Sequence, residues 1–199
     1  LDCSVPSDTN GEIYSEGIKY TSKTITKSIL PPGEYENCSF IDSIFTEIVL
    51  TNYTFIDCNF DNCEMNMSTL NMTSFREVSF HNCKLMGVCF NYCNPFLLSM
   101  TFSDSYLKLA SFYGLKLNNA HFENCNLVET DFGFANLSNA IFHNCDMLNA
   151  FFDNTVLEKS DLTTSFNYVI DPEKNKIRKA MFSRMGLAGL LQNYNIEII

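Results

Sequence analysis

The sequence contains no tryptophan and few bases: 13 Lys and Arg stand against 23 Asp and Glu, for a net charge of −10. A protein that holds nucleic acid needs a basic patch to displace counterions, so this balance argues against direct nucleic-acid binding. No apolar run approaches the ~18 residues of a membrane-crossing helix, so no membrane span is expected. Missing as well are a glycine-rich phosphate loop, a nucleophile elbow and a base placed beside a thiol, the starting points of common enzyme chemistries. No catalytic residue, cofactor or enzymatic activity is therefore assigned.

What the sequence does contain is 18 Phe, 9 Cys and 8 Met among 199 residues, 46% of them apolar. That is enough for one domain or one repeat array with a continuous core. From Phe40 an apolar residue recurs at every fifth position through Phe90, slips by two, and resumes at Leu97 as far as Leu162. All 25 centres are Phe, Leu or Met. Neither the 3.6-residue helix nor the two-residue strand produces a period of five. Two positions before most centres stands a small side chain, such as Cys38, Ser43, Cys58, Ala110, Ala120, Cys125 or Ala140, often with Asn or Asp beside it: FIDCNF (55–60), FENCNL (122–127), FANLS (134–138).

This pattern resembles the pentapeptide-repeat family over at least residues 38–162. The resemblance implies an all-β fold, a right-handed quadrilateral β-helix in which four pentapeptides make a coil of about 20 residues. The centre and the small residue face inward and the other three face solvent. Positions one coil apart should then stack on one wall, and the sequence agrees. The first wall reads Phe40, Phe60, Phe80, Phe102, Phe122, Phe142. The second contains Phe45, Met65, Leu85, Leu107, Leu127 and Met147, and the third Leu50, Leu70, Phe90, Phe112, Phe132 and Phe152. The fourth contains Phe55, Phe75, Leu97, Leu117, Leu137 and Leu157. Residue types sort by wall, which a bare period of five does not require.

The expected organisation is a mobile N-terminal segment 1–17, a β-helix 18–182 with regular coils over 38–162, and a C-terminal helix and tail 183–199. A small bulge is expected at 91–96, where Asn94-Pro95 marks a turn and Pro95 lacks a ladder donor. Leu187, Leu190, Leu191 and Tyr194 fit helical spacing, with Asn195 placed to end a short capping helix. His81, His121 and His143 lie one position off a centre, hence outward, whereas Cys83, Cys125 and Cys145 lie inward. Metal ligands must converge, so no metal site is expected. The cysteines read as small buried thiols, with Cys89 the exposed one.

Charge is placed unevenly. Residues 36–162 hold 15 acids and 5 bases. On the first wall lie Asp42, Asp61, Asp104, Glu123 and Asp161 with no Lys or Arg beside them on that wall, and these five form the candidate partner-binding surface. A solvated face that keeps a β-rich rod soluble is the plainer reading. Within the family the chain is similar to the Qnr-type quinolone-resistance proteins, through the repeat, the acidic bias and the segment GLAGLLQNYNIEII (186–199). That resemblance implies a cytoplasmic DNA mimic that binds DNA gyrase or topoisomerase IV. It also implies a homodimer joined tail to tail through Leu187, Leu190, Leu191, Ile196, Ile198 and Ile199. The two large loops of many quinolone-protective members have no counterpart here beyond the slip near Pro95. The alternative is a structural or scaffold repeat protein with another protein partner.

Overall fold

A five-residue repeat that sends two side chains inward must turn the chain at every unit. The turn falls two residues after each centre, on a residue in the left-handed region. In the computed structural model, which describes residues 13–45 and 48–197, 25 non-glycine residues have φ between 48° and 64°. Fifteen of these are Asn or Asp, the residues that tolerate this conformation best after glycine. The turn chemistry of the corners thus explains the abundance of Asn.

Corners repeated every five residues wind the chain into a parallel β-solenoid. Nine short strands stack along the first wall, from Lys19–Thr21 through Ser39–Ile41, Asn59–Asp61 and Val78–His81 to Met181–Phe182. Each pairs in parallel with its counterpart one coil on, as in Phe40 with Phe60 and Phe80 with Phe102. A second sheet on the fourth wall joins Ile13–Glu16, Gly33–Glu36, Thr54–Ile56 and Ser74–Arg76 in that order. The second and third walls are held by single bridges in the same register, such as Glu64 with Lys84 and Ser111 with Asp131.

Inside, the first-wall phenylalanines form one unbroken stack. Ring centroids are 4.7 Å apart between Phe40 and Phe60 and 5.2 Å between Phe102 and Phe122. A second stack runs from Phe90 through Phe112 and Phe132 to Phe152. The two meet edge to face across the interior, Phe102 against Phe112 at 5.7 Å and 75°. Both geometries are the ones aromatic quadrupoles favour.

The ends and the interruption depart from expectation in three places. The repeat starts earlier than residue 18: Ile13–Glu16 is already a strand, paired with Gly33–Glu36. Residues 1–12 lie outside the described residues. At the slip, Phe90–Tyr92 forms one turn of 3-10 helix, and Cys93 is still buried in the old phase. The two extra residues are absorbed between Cys93 and Met100, beyond the expected 91–96. Leu97 is therefore not an inward centre. It lies 62% exposed at a φ of 56°, while Leu98 packs against the core. Pro95 cannot donate to the ladder, and the Asn94 side chain accepts from the Phe96 N–H instead, which fixes the bulge. Third, the capping helix is one short turn, Ala188–Leu191, between 3-10 turns Met185–Leu187 and Gln192–Tyr194. Asn195 ends it in the left-handed conformation, as expected. The Ile170 N–H donates to the Gly189 carbonyl, and Leu190 packs on the core, so this turn lies over the last coil.

Candidate functional site: the first wall

The first wall has a corner fixed from both sides. Inside, the column two residues before the second-wall centres contains only Ser and Cys: Ser43, Cys63, Cys83, Ser105, Cys125, Cys145 and Ser165. From Cys63 onward each donates to the carbonyl of a first-wall phenylalanine one coil back. Cys63 reaches Phe40, Ser105 reaches Phe80 and Ser165 reaches Phe142. Outside, the same corner carries Asp42, Asn62, Asn82, Asp104, Asn124 and Asn144, all left-handed. Their side chains form a hydrogen-bonded ladder: Asn62 donates to Asp42 at 2.6 Å, Asn124 to Asp104 at 3.0 Å and Asn144 to Asn124 at 2.9 Å. An amide has both a donor and an acceptor, so it can pass the chain on, while a carboxylate only accepts and so begins each run.

The five expected acids share this wall but not one column. Asp42 and Asp104 sit in the corner ladder, Asp61 and Glu123 just after the centres, and Asp161 just before one. All five side chains reach solvent. The three histidines lie among them: His81 is 3.4 Å from Asp104, His121 is 3.9 Å from Glu123, and His143 meets the Thr164 hydroxyl. The wall is thus a polar surface in which carboxylates are interspersed with imidazoles, more mixed than a plain string of acids. Among the described residues no cluster of His, Cys, Asp and Glu could hold a metal ion.

The cysteines stack as the spacing predicts, and the eight within the described residues are free thiols. Seven are buried, and Cys89 on the third wall is the most accessible of the eight, though partly buried and not fully exposed as expected. Cys83 and Cys125 are pushed well above the ordinary thiol range, first by the contact with the stacked partner thiol and then by burial. Burial alone does the same to Cys93. A thiol held protonated and enclosed is a packing group and a weak donor.

Of the expected tail contacts, Leu187, Leu191 and Ile196 are exposed, whereas Leu190 is partly buried against the last coil. Ile198 and Ile199 lie outside the described residues. Among the described residues, no helix is long and apolar enough to cross a membrane.

Four-sided coils, an inward Phe/Leu centre and an Asx-rich corner define a repeat solenoid whose outer walls are the surfaces available for function. A family model for pentapeptide repeats matches in eight copies, over residues 55–91, 105–144 and 135–163. The chain belongs to the pentapeptide-repeat family. Among solved structures it is similar to two trypsin-treated, single-substitution variants of QnrB1, a plasmid-mediated fluoroquinolone resistance protein. One is 18% identical, with 94% of this chain and 100% of that chain covered at a TM-score of 0.48. The other is also 18% identical, with 93% and 99% covered at a TM-score of 0.49. A further similar structure is HetL, a pentapeptide repeat protein involved in heterocyst differentiation regulation from the cyanobacterium Nostoc sp. strain PCC 7120. There the identity is 12%, with 86% of this chain and 87% of that chain covered and a TM-score of 0.33. No curated protein sequence matches the chain.

Proposed function

We propose that this protein is a non-enzymatic binding rod of the cytoplasm whose first wall imitates the charge of duplex DNA. In this reading it docks in the DNA-binding groove of a type II topoisomerase, DNA gyrase or topoisomerase IV. The observation that carries the reading is the distribution of charge on that wall. Asp42, Asp61, Asp104, Glu123 and Asp161 lie on it, and the wall's own segments from the Ser39 strand to Thr164 contain no Lys or Arg. The doubly fixed corner supports it too, because charges presented on a rigid ladder bind without losing conformational freedom. Adjacent coils lie ~4.8 Å apart, whereas duplex DNA carries a charge per ~1.7 Å of axis. The wall is a sparse imitation and relies on the shape of the rod as well. Two rods joined tail to tail through Leu187, Leu191 and Ile196 double the length of the acidic surface, and free thiols suit a reducing compartment.

The test is inhibition of gyrase supercoiling by purified protein. Wild type is expected to inhibit, and Asp61→Lys, Asp104→Lys and Glu123→Lys together are expected to abolish inhibition while the rod stays folded, losing only about 1 kcal/mol for the Asn124–Asp104 hydrogen bond. Inhibition that survives the triple reversal rejects the charge-based mechanism. A second reading, a scaffold with another protein partner, is favoured by the imidazoles of His81, His121 and His143 interspersed among the first wall's carboxylates.

A further inference from the structure

We infer that the third wall is a contact surface for a second copy of this chain, with two rods lying side by side. The first observation is where the large apolar residues stand in the corners. Corners along the first wall carry Ser, Asp and Asn, and those after the fourth wall are polar except for Leu97 in the bulge. In the regular coils four apolar residues occupy left-handed corners: Met67 and Leu109 at one edge of the third wall, Met72 and Phe134 at the other. A bulky side chain is disfavoured at positive φ, and burial within the chain does not offset that here. Met67 is 64% exposed and Phe134 52%. Local conformation and solvation both disfavour these residues in a lone rod, a conflict of the kind that marks a functional surface.

Between these edges the wall is aromatic and nearly uncharged. Tyr92, Tyr113 and Phe151 are exposed, and the Tyr113 and Phe134 rings lie 5.3 Å apart. Its two acids are engaged locally: Asp131 accepts from the Gly133 N–H and Asp153 from the Asn154 amide. For a chain of net charge −10, this is the side on which two copies approach with the least repulsion. Val49, just before the third-wall centre Leu50, continues the surface at the other end. Eight apolar side chains, each about half exposed, present roughly 800 Å² if a whole large side chain contributes ~150–250 Å². That exceeds the largest apolar patch of a typical monomer and equals one partner's share of a standard stable interface. A two-fold axis running along the wall sets the Met67/Leu109 edge of one copy against the Met72/Phe134 edge of the other. The contact is therefore self-complementary and closed. Cys89, partly buried between the two edges, then lies near its own copy.

The experiment treats the whole chain at micromolar concentration with a short bis-maleimide and follows mass by sedimentation. Wild type is expected to give a dimer cross-linked through Cys89, and Cys89→Ser is expected to remove it. Met67→Asn, Leu109→Asn and Phe134→Asn together place the favoured corner residue at three strained positions. That variant is expected to melt no lower than wild type while losing cross-linking by about tenfold or more. A tail variant, Leu187→Ser with Leu191→Ser and Ile196→Ser, is expected to keep the cross-link, which separates this contact from a tail-to-tail pair. No cross-link in wild type, an undiminished one in the corner variant, or loss in the tail variant alone overturns the inference. These outcomes do not depend on whether the first wall binds a topoisomerase.

Discussion

Phe102→Ala is expected to destabilise the rod by about 3–5 kcal/mol, the cost of a large cavity in a close-packed interior. Phe102 is fully enclosed, stacked on Phe80 and Phe122 at 5.2 Å each and touching Phe90 and Phe112 edge to face. Neighbouring coils cannot collapse into the gap, because ladder hydrogen bonds on both sides fix their spacing. Coils also support one another as nearest neighbours, so a cavity at a middle coil weakens both halves of the array. Asn118→Ala, on the exposed fourth wall, is expected to change stability by less than about 0.5 kcal/mol. Chemical denaturation of the two variants compares them directly, and similar losses at both sites would contradict the inward and outward assignment.

The second large effect is expected at the inner corner. Cys125 is buried, and its thiol donates towards the Phe102 carbonyl. Leucine at this position removes that donor and adds volume where two coils touch. Overpacking typically costs ~1–3 kcal/mol and a lost buried hydrogen bond about 1 kcal/mol more, so Cys125→Leu is expected to lose about 2–4 kcal/mol. Cys125→Ser puts in the residue that the same column carries at Ser105 and Ser165, and a loss below about 1 kcal/mol is expected. If serine were as harmful as leucine, the column would owe its composition to something other than size and a donor. Thermal unfolding of the two variants under reducing conditions makes the comparison.

The architecture is largely legible because centres five apart, each with a small residue two before, carry the resemblance to pentapeptide repeats, and that resemblance implies a four-sided coil. The wall-by-wall sorting of Phe40 through Phe142 is enough to set the coil length. The outward histidines and the position of Cys89 follow from the same phase. The slip is harder, since a sequence with two extra residues does not say which residue re-enters the core. Leu97 keeps the spacing to Leu117 yet points to solvent, because the turn at Asn94-Pro95 is completed only after it. The strand Ile13–Glu16 is hidden for a related reason. It buries only a serine and leaves Ile13 and Tyr14 partly exposed and Glu16 exposed, with little apolar signal inside.

The candidate surfaces are legible only in part. Acidic bias places five carboxylates on one wall, but their columns depend on the offset from the centre. Asp42 and Asp61 therefore play different parts, one capping the Asx ladder and the other lying outside it. The Asn run at 62, 82, 124 and 144 is visible in FENCNL and its kin. Its role needs the backbone, since an amide ladder forms only where consecutive corners are stacked. The apolar corners Met67, Leu109, Met72 and Phe134 escape a period-five reading, which attends to inward positions. The usable signal is a large apolar residue two after a centre, where the rest of the chain favours Asn.

Direct competition for gyrase between this protein and duplex DNA tests the DNA-mimicry account most closely. Fluorescently labelled duplex bound to gyrase is titrated with the full chain, with and without the three lysine reversals at Asp61, Asp104 and Glu123. The account predicts that wild type displaces the duplex completely, that displacement weakens as salt rises, and that the reversed variant displaces none. A ternary complex in which gyrase holds the duplex and the rod together would contradict it.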